Sequence, residues 1–300
     1  MVASAELSDA SDVPAQSGDG PTSEMGAGKA ALLGVVEGIT EYLPVSSTGH
    51  LIVTERLLDL PAKDADKQAL DAYTVIIQFG AIIAVLVLYR KRVLQVIQGL
   101  FGKSDTGRQL LFCLLAAFAP AAVFGLALGD KIDEYLLKPG PVAAAWIVGG
   151  IVILALYKRL SPRNSGGVAL ESMTVKTAFF IGCAQALALW PGTSRSLVTI
   201  VAAVLLGMSL AAAVEFSFLL GLITLTAATV LSVAKDGSTG IDTYGKTAPL
   251  IGIVAAFVFA LLAVKTFVAF LNKQDLKGFG IYRIAAGVVT LILMAVTTKL

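Results

Sequence analysis

Six apolar stretches, roughly 72–89, 109–128, 141–157, 211–234, 249–271 and 280–298, dominate this sequence. Each is near the roughly 20 residues that a helix needs to cross a bilayer. In lipid every backbone N–H and C=O has to be satisfied within the protein, which leaves helices for segments of this length and composition. Hydrophobic residues make up 56% of the chain and charged residues 15%, with a mean hydropathy of +0.82; soluble domains carry about 25% charged residues. A soluble globular protein is excluded, and an all-α polytopic membrane protein is predicted. The net charge of +2 comes without a basic arm interleaved with aromatics, so no nucleic acid partner is expected.

Residues 1–25 are rich in Ser, Ala, Asp, Gly and Pro and contain no Lys or Arg. They lack the basic start and apolar core of a signal peptide and read as a disordered tail. Residues 26–300 read as a single helical membrane domain. Cys113 and Cys183 both sit in apolar stretches, which predicts small buried hydrophobes with no disulfide and no zinc site.

Two more apolar segments, about 27–58 and 177–207, are interrupted near their middles. One break reads Pro44-Val45-Ser46-Ser47-Thr48-Gly49-His50, the other Pro191-Gly192-Thr193-Ser194-Arg195-Ser196. Aligning the prolines pairs Ser47 with Ser194, and three spans follow each broken segment. The chain thus divides into halves of about 27–157 and 177–298. If each broken segment enters and leaves on one side, as a re-entrant helix pair, the second half is inverted relative to the first and the breaks meet near the midplane. Loops 90–108 and 158–176, which carry Arg90, Lys91, Arg92, Lys158 and Arg159, read as cytoplasmic. The Lys and Arg distribution does not decide between six and eight spans; six brings the polar clusters together.

Ionisable side chains at membrane depth are expensive and usually functional. The first break gathers Glu37, Glu41, Ser46, Ser47, Thr48 and His50, the chain's single histidine; the second adds Ser194, Arg195, Ser196 and Thr199. Glu37 and Glu41 are one helical turn apart and repel each other unless a cation or a proton intervenes; their hard oxygens suit Mg²⁺ or Ca²⁺. A helix that starts after a Ser/Thr break points free N–H groups forward, where they bind phosphate. Arg195 adds a guanidinium fork suited to phosphate oxygens, or simply pairs with Glu37 or Glu41. His50 reads as an acid, base or nucleophile, or as a hydrogen-bonded bystander. Gln78, Glu215, Lys265 and Arg283 read as structural pairs, with Glu215 the strongest candidate for more.

The run from Gly34 to His50, Gly-Val-Val-Glu-Gly-Ile-Thr-Glu-Tyr-Leu-Pro-Val-Ser-Ser-Thr-Gly-His, closely resembles the first signature of the bacterial undecaprenyl pyrophosphate phosphatases, the bacitracin-resistance family. Leu189-Trp-Pro-Gly-Thr-Ser-Arg-Ser196 with Thr199 resembles the second, and the likeness continues through Glu215–Leu220 and Ile281–Arg283. The resemblance implies a metal-dependent hydrolase of the bacterial inner membrane. It would remove the terminal phosphate of undecaprenyl diphosphate at a site open to the periplasm. It implies Glu37 and Glu41 as catalytic acids and metal ligands, with Ser47, His50 and Arg195 catalytic. Of the phosphate-binding residues expected at the two breaks, Ser46, Thr48, Ser194, Arg195, Ser196 and Thr199, the resemblance implies Ser194, Arg195 and Thr199. Mg²⁺ or Ca²⁺ would be the cofactor and the polyprenyl lipid the partner. Two departures stand out. Leu197-Val198 occupies a place where the family usually has small residues, and Tyr42 one where Phe is common. The nucleophile (Ser47, His50 or water) and the assembly state, a homodimer included, stay open. The rival expectation is a secondary transporter or flippase for an anionic lipid or phosphate compound, which shares the broken-helix architecture.

Overall fold

The computed structural model describes residues 25–60, 64–161, 166–236 and 239–296. The expected disordered tail lies outside the described residues except for Met25, which is buried in a small cluster with Leu33, Leu70 and Tyr73. In chain order the α-helices are α1 (Ala27–Thr40), α2 (Ser47–Leu57), α3 (Asp64–Leu88), α4 (Arg90–Leu100), α5 (Asp105–Leu136) and α6 (Pro139–Leu156). They continue as α7 (Val175–Gln185), α8 (Arg195–Leu205), α9 (Leu210–Asp236), α10 (Thr239–Tyr244), α11 (Thr247–Leu271) and α12 (Lys277–Val296).

Six of these helices, α3, α5, α6, α9, α11 and α12, are long and apolar enough to cross a membrane. They are the spans the hydropathy predicts, and α5 runs further than expected, to Leu136. Exposed Val123, Leu126, Val254 and Ile292 give them apolar outer faces. α1, α2, α7 and α8 have 14, 11, 11 and 11 residues. At about 1.5 Å per residue none of them reaches across a core of about 30 Å. Amphipathic α4 carries Arg90, Lys91 and Arg92 at its start, and Ser104 caps α5 by accepting from the Gly107 N–H.

Small residues let the helices close on one another. Among lipid-facing helices the driving force is close backbone packing, which glycine permits. α1 lies along α11, where Gly34 and Gly38 face the carbonyls of Gly252 and Ala256. α7 lies along α5, where Gly182 faces the Ala117 carbonyl. α6 pairs with α12, and α3 contacts both α9 and α11. The main core gathers Tyr42, Phe216, Phe218, Phe267 and Ile200 beneath the two broken segments. Cys113 is buried in it, as expected, whereas Cys183 is exposed on α7.

Candidate active site

The two breaks are built alike. Pro44 and Pro191 end their segments' regular hydrogen bonding, since proline has no N–H to donate. α2 and α8 then begin behind Ser46 and Ser194, whose side chains accept from the N–H groups of Gly49 and Leu197. Both serines take an unusual backbone conformation, φ 72°, ψ 107° and φ 75°, ψ 113°. A non-glycine residue held there costs of order 1–3 kcal/mol and persists where surrounding structure enforces it. The structural match is therefore Ser46 with Ser194, not Ser47 with Ser194 as the prolines suggest. On this match Gly34 and Gly182 each precede the cap by the same interval, Glu37 corresponds to Gln185, and Ser47 to Arg195.

The breaks touch directly. Ser196 Oγ donates to the Leu43 carbonyl at 2.9 Å, and Ser194 Oγ lies 3.5 Å from the same oxygen. A fully buried Arg283 on α12 ties them together further. It donates to Pro44 O at 3.1 Å in the first break and to Gly192 O and Thr193 O at 2.9 and 3.2 Å in the second. It also reaches Ala145 O on α6 at 3.0 Å. Arg283 is thus a brace between carbonyls rather than half of an ion pair. Trp146 on α6 donates to Val45 O at 2.8 Å, and its ring lies against Gly49, where a Cβ would collide with it.

At this junction Glu41, the residue after α1, has one carboxylate oxygen accepting from Arg195 at 3.0 Å and the other accepting from the Ser47 hydroxyl. Arg195 donates again to Ser217 O at 3.0 Å, and its guanidinium lies over the Tyr42 ring, 5.3 Å from the centroid. Gly221 on α9 leaves the room that the guanidinium occupies. The ion pair is well shielded, with side-chain exposures of 11% and 6%.

A cavity of about 560 Å³ opens beside it. Glu41, Ser46, Ser47, Thr48, Ser194 and Arg195 line its polar end, with Gln78 and Gln185. Its apolar wall comes from α5 (Phe118, Ala122, Leu126), from Ala188 and Leu189, and from α9 (Leu225, Ala228, Leu231). The first N–H groups of α2 and α8 lie at the polar end and lack intrahelical acceptors, as at any helix start.

Four of the expected site residues are not on the cavity wall. Glu37, one turn before Glu41, is buried with an Oε1 that has no hydrogen-bond partner. Ser196 is bonded to Leu43 O, and Thr199 to Ser217 Oγ at 2.7 Å and to Arg195 O at 2.8 Å. His50 turns outward. Its Nδ1 lies 2.6 Å from Ser46 O, its Nε2 lies 2.6 Å from the Tyr282 hydroxyl, and its ring stacks on Tyr282. Ser217 and Tyr282 lie in the stretches Glu215–Leu220 and Ile281–Arg283 of the family resemblance but are not among the expected site residues, and neither is Gln185.

Of the other polar residues, Glu215 pairs with Arg92 at 2.7 Å, away from the cavity, and Lys265 is exposed. Gln78 faces the cavity rather than forming a pair. Leu197 is buried in the core, and Leu197 and Val198 line a separate apolar cavity of about 380 Å³, which places them behind the Arg195 cluster.

The sequence agrees with this construction over almost its whole length. A family model described as "Bacitracin resistance protein BacA" matches residues 30–289. An "Undecaprenyl-diphosphatase" of Sorangium cellulosum is 43% identical over 87% of this chain and 84% of its own. An "Undecaprenyl-diphosphatase 2" of Rhodospirillum rubrum is 44% identical over 88% and 93%. An "Undecaprenyl-diphosphatase" of Clostridium novyi is 40% identical over 88% and 94%. A match of this extent, with both polar turns inside it and meeting at one cavity, makes the chain a member of the bacitracin resistance protein BacA family.

Proposed function

We propose that this protein is an undecaprenyl-diphosphate phosphatase of the bacterial inner membrane. It releases inorganic phosphate and leaves undecaprenyl phosphate, the carrier lipid of cell-wall synthesis. Family membership and the relatives' shared activity support the reaction. The single geometric observation that carries it is Glu41, shared between the Ser47 hydroxyl and the Arg195 guanidinium where two helix starts meet. The transporter or flippase alternative finds no support among the relatives.

Ser47 is the nucleophile in this reading, because its hydroxyl already donates to a carboxylate, whereas both ring nitrogens of His50 are engaged outside the cavity. As Ser47 Oγ bonds to the terminal phosphorus, its proton passes to Glu41 and the bridging P–O bond breaks. Undecaprenyl phosphate leaves and takes the proton from Glu41. Glu41 then accepts a proton from the water that attacks the phosphoserine and returns it to Ser47 Oγ as the P–Oγ bond breaks and inorganic phosphate leaves. The Arg195 N–H groups not engaged with Ser217 or Glu41, the free N–H groups of α2 and α8, and the hydroxyls of Ser46, Thr48 and Ser194 stabilise the charge on the transferring group. Ser196, Thr199 and His50 position these groups, through Leu43, Arg195 and Ser46 respectively.

The residues suit a divalent cation, Mg²⁺ or Ca²⁺. Glu37 has a buried carboxylate oxygen without a partner, one turn from Glu41, and such an oxygen calls for a cation or a proton. Glu37 and Glu41 would hold the ion together with the substrate's phosphate, and the ion would neutralise phosphate charge.

The breaks are re-entrant helix pairs in an inverted repeat. Supporting this are four helices too short to cross, the shared cap conformation of Ser46 and Ser194, and the exchange of partners by which α1 packs on α11 and α7 on α5. The cavity opens to the periplasm. Apart from Phe118, its wall residues on α5 and α9 fall in the later halves of those helices, and both helices start on the side of the basic loops.

The test is phosphate release from undecaprenyl diphosphate by pure protein in detergent, with and without chelator. Chelation abolishes turnover, and Ser47→Ala, Arg195→Ala and Glu41→Gln each lose at least about two orders of magnitude in rate, as removal of one transition-state donor does. Near-wild-type turnover in any of the three defeats the assignment. Turnover quenched at neutral pH, where phosphohistidine survives, leaves phosphate on the Ser47 peptide; label on His50 replaces the proposed nucleophile.

A further inference from the structure

Buried polar atoms without partners mark places where the protein awaits something or carries a penalty. Among the described residues, such atoms occur in Glu37, Tyr42, Gln185, Arg195, Thr229 and Arg283. Of these residues only Arg195 and Gln185 line the large cavity. Arg195 is already placed on the phosphate. Gln185 is 3% exposed, and neither its Nε2 nor its Oε1 has a hydrogen-bond partner. An amide has two donors and two acceptor sites, so this is the most under-satisfied side chain at the site.

Its position narrows what it meets. Gln185 ends α7, and Ala188 and Leu189 follow at i+3 and i+4 on the same wall of the cavity. The amide therefore heads a stripe that is otherwise apolar, on the side leading away from Ser47. It also occupies the place in the second half that Glu37 holds in the first. A carboxylate at this point would repel a diphosphate, whereas a neutral amide donates without adding charge.

We infer that Gln185 is a substrate-contacting residue whose amide donates to the lipid-proximal phosphate, the one that stays with the lipid, at the start of the prenyl lane. This rests on the phosphatase reading above. That phosphate is the leaving group and gains charge as the bridging P–O bond breaks, so a donor to it holds substrate and product and holds the transition state at least as tightly; its loss appears in kcat/KM together with the affinity for the lipid product.

The experiment compares wild type with Gln185→Met and Gln185→Glu as full-length protein in detergent. In Gln185→Met, kcat/KM for undecaprenyl diphosphate falls at least about tenfold, a change typical of one lost hydrogen bond to a charged group. Product inhibition by undecaprenyl phosphate weakens by the same factor, while inhibition by inorganic phosphate is unchanged. Its Tm without substrate equals or exceeds wild type, because an unpartnered amide has been replaced by an apolar chain of similar shape. Gln185→Glu lowers kcat/KM further. An unchanged kcat/KM, unaltered inhibition by undecaprenyl phosphate, or a Tm lowered by several degrees in Gln185→Met each overturns the assignment. Wild-type protein that releases no phosphate sinks the phosphatase reading itself, whereas normal wild-type turnover with an unaltered Gln185→Met sinks only this inference.

Discussion

Arg195 is held by contacts of three kinds, an acid, a carbonyl and an aromatic face, and by a space. The space belongs to Gly221, where a methyl group would collide with the guanidinium. Gly221→Ala therefore folds but displaces the phosphate clamp. Misplacement on the ångström scale can cost about 10²-fold in rate, so kcat/KM should fall by about that factor with little change in Tm. Tyr42 offers the opposite case. Its hydroxyl is buried without a partner and off the cavity wall, while its ring lies beneath Arg195. Tyr42→Phe keeps the ring and removes the unmet hydroxyl, so Tm rises or holds and activity stays within about twofold in the phosphate-release assay. The residues that meet here were legible as types: Glu41, Ser47 and Arg195 stand out in any apolar chain. Their directions were not. His50 and Thr199 have the same chemical credentials, yet one bonds Tyr282 and the other Ser217, side chains 232 and 18 residues away in sequence.

At the scale of elements, periodicity and length located all six spans, because a bilayer admits few alternatives to a long apolar helix. The match between the breaks was harder to see. Prolines mark where a helix stops, but caps mark where the next one starts, and the second loop has one more residue between the two. The brace was also hidden. An arginine in an apolar helix suggests an acidic partner, and Arg283 instead satisfies four carbonyls in two loops and one helix. Arg283→Leu takes the donor from four carbonyls, at about 1–3 kcal/mol for each buried acceptor left unsatisfied, and should lose at least about 3 kcal/mol. Trp146→Phe, which removes the bond to Val45 and the part of the ring that lies against Gly49, should lose about 2 kcal/mol, less than Arg283→Leu. Thermal unfolding in detergent ranks them; equal losses would refute the brace.

For the whole molecule, the basic end is tied by Arg92, which reaches Glu215 at 2.7 Å and Glu171 at 2.5 Å and so links α4, α9 and the turn before α7. A hydrogen bond from its own backbone, and then Arg92, hold the Glu171 carboxyl below its ordinary value. A group whose folded pKa is depressed stabilises the fold above its unfolded value and loses that contribution as pH falls through the folded one. The Tm advantage of wild type over Glu171→Gln, small because Glu171 is exposed, is thus present at neutral pH and fades as pH falls below the ordinary glutamate value of about 4.3 and through the lower folded one. Glu171 lies outside the spans, so this titration reports the tie without disturbing the cavity. One wider consequence follows from the paired caps. Ser47 and Arg195 are each the first residue after the same kind of cap, and in the proposed reaction one supplies the attacking oxygen and the other the grip on what it attacks. Two identical turns facing each other would offer two hydroxyls or two cations, and neither set makes a catalyst. In that reading the division of labour depends on the two turns carrying different residues after the cap, and a chain that contains both turns is free to let them differ.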